Sequence, residues 1–141
     1  MYIKLLTEQQ ELREAFPVMK ELRTHLTEDS YLELLDTMKR DGYRLYALYA
    51  DEQITALAGV AIRTNFYYKK HLFVYDLITR AQDRSKGYGE LLLGHVHELA
   101  KQEGCEIVAL ESGLHRTDAH RFYETKMGYE RFCYSFKKML L

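Results

Sequence analysis

Two stretches of this chain combine residue types and spacings that suit chemistry. The first is Asp83-Arg84-Ser85-Lys86-Gly87-Tyr88-Gly89-Glu90-Leu91-Leu92, which sets Arg84-x-x-Gly87-x-Gly89 ahead of an amphipathic run. Its chemistry would be anion binding. Free N–H groups at a helix start point outward, and the helix dipole adds partial positive charge there. Gly87 and Gly89 would let a ligand approach the backbone, while Arg84 and Lys86 would neutralise a pyrophosphate. A glycine-containing turn with two solvated cations has the same composition, so the spacing alone leaves both readings open. A Walker A loop is excluded, because no Gly-x-x-x-x-Gly-Lys occurs. A dinucleotide fingerprint would want a third glycine where Leu92 stands.

The second stretch, residues 112–129, contains Arg116, Ala119, Phe122, Tyr123, Gly128 and Tyr129. On a helix, Ala119 and Phe122 share a face at i, i+3. Tyr123 lies one step round and can face a cleft beside a sheet. Taken alone, a Phe122-Tyr123 pair is more often made of ordinary core aromatics. Asp76 interrupts an apolar strand, where an unpartnered carboxylate would be costly. It reads either as a hydrogen-bonded structural group or as a catalytic one. His95 and His97 stand two apart on a helix and face different ways, and His115 and His120 lack i, i+4 spacing, so no metal site is expected.

These residues must be positioned by a predicted order βααβββαβαβ. Residues 2–6 read as a strand, and Thr7 with Gln10 as a capping box for a helix that Pro17 should kink or split. Thr27 can cap a second helix that Gly42 ends. Strands follow from Tyr43, at Ile54 to Ile62 and at Leu72 to Ile78. In the strand from Tyr43, Leu45, Ala47 and Tyr49 share one face. A helix runs from about Gly87 to Gly104, with Tyr88, Leu92, Val96 and Leu99 inward. Ile107 to Leu110 is a short buried strand. Thr117 or Asp118 starts a last helix that Gly128 stops, and Phe132, Tyr134 and Phe136 alternate in a final strand. The expected fold class is α/β (α+β), a mixed central sheet with helices on both faces, in one domain spanning 1–141.

Composition narrows the function classes. Lys and Arg number 20 against 21 Asp and Glu, a formal charge of −1, so no basic surplus argues for nucleic acid or an anionic membrane. Apolar runs fall well short of the ~20 residues needed to cross a bilayer. Cys105 and Cys133 have no metal-type spacing and read as small buried hydrophobes. A cytoplasmic protein is the natural expectation.

The stretch from Arg84 to Gly89, in its strand–turn–helix setting, resembles the coenzyme A signature of the GNAT acyltransferase superfamily. Val74-Tyr75-Asp76-Leu77-Ile78-Thr79 is similar to that family's fourth strand, and Ala119-x-x-Phe122-Tyr123 followed by Gly128-Tyr129 to its second motif. The resemblance implies a splayed fourth strand on which Leu77, Ile78 and Thr79 offer backbone groups to a pantetheine arm. It implies that Arg84, Ser85, Lys86, Gly87, Tyr88, Gly89 and Glu90 hold the pyrophosphate of acetyl-coenzyme A, with Arg116, Ala119 and Tyr123 beside the cofactor. One departure stands out: the family often has asparagine where this chain has Arg116.

The activity so implied is transfer of an acetyl group from acetyl-CoA to an amine in a ternary complex, without a metal. An amine of pKa ~10.4 is only about one part in a thousand neutral near pH 7, so a general base is useful. A backbone N–H near Leu77 or Ile78 would polarise the thioester oxygen, and Tyr123 would protonate the departing sulfur. Some family members carry a glutamate where this chain has Phe73 or Tyr75. The base is then Asp76, Glu111 or a histidine such as His115 acting through water. Tyr67, Tyr68 and His71 would line the acceptor pocket or an exposed hairpin end. A homodimer is plausible on family analogy, and a coenzyme A-binding regulatory module without turnover is the alternative function.

Overall fold

The computed structural model describes all 141 residues, which form two units, Met1–Leu110 and Glu111–Leu141. In the first unit five strands lie side by side in chain order: β1 (Tyr2–Leu5), β2 (Arg44–Ala50), β3 (Gln53–Asn65), β4 (Lys69–Thr79) and β5 (Ile107–Leu110). β1 to β4 pair antiparallel, and β5 joins β4 in parallel. The sheet is therefore mixed, as expected. The β2–β3 hairpin turns through Asp51 and Glu52, both at positive φ (52° and 63°), a two-residue geometry that matches the strand twist.

Strand alternation divides the side chains between two layers. Leu45, Ala47 and Tyr49 of β2 share one buried cluster with Leu57 of β3 and Ile78 of β4. Over it lie α1 (Gln9–Leu22), through Leu12, Ala15, Val18 and Met19, and α2 (Glu28–Arg40), through Tyr31 and Leu35. The opposite parity, including Leu48, Ala58, Val60, Leu72 and Val74, is covered by α3 (Tyr88–Gln102) through Leu92, Leu93, Val96 and Ala100. Leu48, Leu57, Leu72, Leu92 and Leu93 are each less than 2% exposed. Each such side chain contributes about 2 kcal/mol by leaving water.

Local chemistry explains where the helices begin and end. Thr27 caps α2 as expected: its Oγ1 accepts from the Ser30 N–H at 3.1 Å, and Ser30 Oγ accepts from the Thr27 N–H at 2.9 Å. The α1 cap differs from expectation. Glu8 is the cap residue, and the Glu11 carboxylate accepts from the N–H groups of Thr7 (3.2 Å) and Glu8 (3.1 Å). The ionised carboxylate accepts these N–H bonds more strongly than the isosteric Gln10 amide would, and the helix starts one residue later. Nor does Pro17 split α1, which is unbroken to Leu22. Tertiary packing of its apolar stripe outweighs one lost backbone bond. On α3 the buried stripe includes Leu93 and Ala100, while Tyr88 and Leu99 are only partly covered. β5 is half-buried along its length.

In the second unit, α4 (Thr117–Arg121) continues into a π turn over Phe122–Lys126, closed by a bond from the Met127 N–H to the Phe122 carbonyl at 3.2 Å. Gly128 follows at φ 73°, the left-handed stop expected of it. The expected final strand is not formed. Phe132, Tyr134 and Phe136 are exposed (64%, 83% and 92%) in a segment that is not a strand, and Cys133 is exposed where a buried hydrophobe was expected. Alternation marks a segment able to form a strand, but a strand exists only when a neighbour completes its hydrogen bonds. Cys105, by contrast, is buried. No helix is long and apolar enough to cross a membrane.

Candidate active site

The turn before α3 is built from backbone. After β4 a single 3-10 turn, Ala81–Asp83, leads to Ser85 at φ 66° and Gly87 at φ 83°, the residue that caps α3. Gly87 has no neighbour within 4 Å of the place a Cβ would occupy. The first helical bond runs from the Leu91 N–H to the Gly87 carbonyl at 3.1 Å. Ahead of it, the N–H groups from Lys86 to Glu90 have no acceptor within the chain. This is the donor array an oxyanion requires.

Side chains stiffen that turn. Asp83 is buried and accepts from Arg80 Nε at 2.5 Å and from Lys86 Nζ at 3.4 Å. The Arg80 guanidinium holds its carboxyl below the usual range. Arg80 therefore neutralises the one acidic group of the turn. Arg84 donates from Nε to the Thr79 carbonyl at 3.3 Å and pairs with no carboxylate. Lys86 is half spent on Asp83, so Arg84 is the freer cation.

Beside the turn, β4 parts from β5. Their parallel ladder runs from His71 opposite Ile107 to Val74 opposite Leu110 and stops there. Between the pairs Gly59–Asp76 and Val60–Val74, β4 carries one extra residue, Tyr75. The bulge bends the strand and leaves the stretch from Tyr75 to Thr79 paired to β3 only. Leu77 and Ile78, and Thr79 apart from its carbonyl, thus lie on an open sheet edge leading to the Gly87 turn.

On the α1 face the bulge is gripped by side chains from distant parts of the chain. Arg23, just past α1, donates from Nε to Asp76 Oδ1 at 2.9 Å and from Nη2 to the Tyr75 carbonyl at 2.8 Å. Tyr43 donates its hydroxyl to Asp76 Oδ2 at 2.7 Å. Both carboxylate oxygens of Asp76 are thus engaged. Burial, and then the Asp76 charge, push the Tyr43 hydroxyl well above its ordinary range. Opposite Asp76, a Cβ at Gly59 would sit 1.8 Å from that hydroxyl, so glycine makes the contact possible. Arg63 donates from Nε to the Tyr75 hydroxyl at 2.7 Å and also from Nη2. Tyr75 touches Phe73 and Tyr43 edge-on, with ring centroids at 5.0 and 5.9 Å.

Sequence reasoning did not single out Arg23, Tyr43 or Arg63. Arg63 was legible as a cation directly after the apolar run Ile54 to Ile62. Arg23 and Tyr43 carried no signal, being 53 and 33 positions from Asp76. Tyr67, Tyr68 and His71 form a ring series, with centroids 4.7 and 5.2 Å apart, and His71 is buried with Nδ1 2.9 Å from the Lys69 carbonyl. No group of three or more His, Cys, Asp or Glu side chains gathers as metal ligands would.

The second unit holds the remaining expected site residues. Tyr123 packs between Phe122 and Tyr129, with centroids at 5.5 and 5.7 Å. Burial pushes its hydroxyl above the ordinary value, with Arg116 opposing, so it stays protonated at neutral pH. Arg116 and Ala119 are partly covered, and Glu111 is exposed.

Comparison with known proteins bears on these features. A family model described as "Acetyltransferase (GNAT) family" matches residues 7–129. The chain is 42% identical over 139 residues to the uncharacterized N-acetyltransferase YhdJ of Bacillus subtilis (strain 168), covering 98% of each. The crystal structure of a transcriptional regulator from Bacillus halodurans C-125 superposes with a TM-score of 0.86 at 22% identity, over 99% of each chain. An aminoglycoside N-acetyltransferase, AAC(6')-Iy, solved with CoA, superposes with a TM-score of 0.84 at 16% identity, over 99% of this chain and 96% of that one.

Proposed function

The chain belongs to the acetyltransferase (GNAT) family, and on that premise we propose that it transfers an acetyl group from acetyl-CoA to a primary amine. The observation that carries this reading is the open edge of β4 beyond Val74 running into the donor array at Gly87. An extended amide-bearing arm can bond the edge, and a pyrophosphate the turn. In this reading residues 84–90 hold the pyrophosphate, with Arg84 as the neutralising cation. Backbone groups of Leu77 and Ile78 hold the arm, and one of their N–H groups faces the thioester oxygen. Bound acetyl-CoA supplies the thioester carbonyl that the amine attacks.

Asp76 is reassigned. With Oδ1 on Arg23 and Oδ2 on Tyr43 it serves as a strut for the bulge, and proton removal falls to Glu111 or to His115 acting through water. Tyr123 keeps the role the resemblance implies, giving its proton to the leaving sulfur. Arg116 and Ala119 keep theirs beside the cofactor. We place the working protein in the cytoplasm. A homodimer, suggested by family analogy, is checked by light scattering.

Calorimetry with acetyl-CoA, followed by thiol-release assays on a panel of amines, tests the reading. Micromolar binding and turnover are expected, with Tyr123→Phe lowering kcat about 100- to 10,000-fold. A folded chain that does not bind acetyl-CoA would sink it. Binding without turnover on any amine would instead favour a coenzyme A-binding regulatory module, the reading that Phe73 and Tyr75 support by standing where some relatives carry a glutamate.

A further inference from the structure

Strand parity places Arg63, His71, Phe73, Tyr75 and Asp76 on the α1 face of the sheet. Across all of β3 and β4 the only acidic side chain is Asp76, and its charge is matched by Arg23 at 2.9 Å. Arg63 is different. It is half-buried, pairs with no carboxylate, and its Nε and Nη2 both donate to one neutral phenol. Its Nη1 donates to nothing in the chain. The guanidinium carbon also stands 5.5 Å from the Tyr75 ring centroid, so the ring helps hold the cation in place. The face therefore presents one fixed, uncompensated positive charge beside an aromatic wall of Phe73 and Tyr75.

That arrangement selects among amines. A polycationic acceptor needs carboxylates around its spare ammonium groups, and the only one β3 and β4 carry, Asp76, is already engaged by Arg23 and Tyr43. A half-buried guanidinium whose remaining donors point at no carboxylate is complementary to an oxyacid group, which it can bind through parallel N–H bonds. Resting on the acetyltransferase reading above, we propose that Arg63 anchors the acceptor, and that the acceptor is a small amine bearing its own carboxylate or phosphonate. Phe73 and Tyr75 pack its carbon chain. The Arg23–Asp76–Tyr43 strut keeps Tyr75, and through it Arg63, in register.

The test compares acetylation of short amino acids and aminoalkylphosphonates with that of amino alcohols and diamines of the same length. For the native protein kcat/KM should be at least about 10-fold higher for the anionic amines, and the carboxylate and phosphonate arms show which oxyacid fits better. Arg63→Gln should raise KM for the anionic amines about 10- to 100-fold, leaving the amino alcohols and the affinity for acetyl-CoA unchanged. Arg63→Lys, which keeps the charge without the fork, should restore part of the loss. The inference is overturned, with the enzyme reading intact, if diamines or alcohols are acetylated as well as the anionic amines. It is also overturned if Arg63→Gln slows all of them equally. Acetyl-CoA binding without acetylation of any amine overturns both.

Discussion

The Gly87 turn and the Tyr75 bulge lie at opposite ends of one stretch of chain, yet they are made of different materials. The turn relies on backbone: unbonded N–H groups, two left-handed residues and a helix dipole. The bulge relies on side chains, with Arg23, Tyr43, Arg63 and Asp76 converging from four places in the sequence. A backbone site is indifferent to most substitutions that keep the glycines, and suits a constant ligand. A side-chain site can be respecified one residue at a time. The contrast fits an invariant cosubstrate at the turn and a particular acceptor at the bulge.

Gly87→Trp should break the turn alone. Affinity for acetyl-CoA should fall more than about 100-fold by calorimetry, while left-handed strain costs stability only about 1 kcal/mol. Asp76→Ala should do the reverse. It strands Arg23 and Tyr43 and should destabilise by about 2 kcal/mol in urea titration, with Arg23 half in solvent, while acetyl-CoA affinity holds. A loss of affinity as large as that of Gly87→Trp would show that the two regions are not separable.

Tyr43→Phe should cost about 1 kcal/mol at neutral pH. It sharpens the comparison through its pH dependence. The folded state raises the Tyr43 pKa above its ordinary 10.0, so that stability is complete below pH 10 and is lost as pH climbs through and beyond it. The native protein should therefore weaken more steeply than Tyr43→Phe in alkaline denaturation. The smallest effect belongs to the turn. Asp83 has its pKa lowered from 3.8 by Arg80, so its contribution is present above that pH and disappears as acid protonates it. Asp83→Asn and native protein should converge in stability as the pH falls below 3.8.

The two materials also differed in legibility. Arg84, Gly87 and Gly89 lie within six positions, and a strand–turn–helix needs nothing from elsewhere, so the turn could be read directly. Strand faces were legible for the same reason: Leu45, Ala47 and Tyr49 do line the α1 face. Partners 33 or 53 positions apart meet only after folding, so Asp76 could be flagged as anomalous but not explained. The segment 132–136 shows the opposite error. Its alternation was visible, but no ladder forms there, because pairing is decided by a neighbour and not by the segment itself.

Gly59 and Tyr43 constrain each other's history. Even a methyl group at 59 would land on the tyrosine hydroxyl, 1.8 Å away. A side chain there becomes acceptable only after position 43 has shrunk, and shrinking it removes a hydrogen bond from Asp76. The two sites can therefore drift only as a pair and in one order, with 43 changing first. Lineages that keep tyrosine at 43 should keep glycine at 59, so the larger residue carries the smaller one with it through descent.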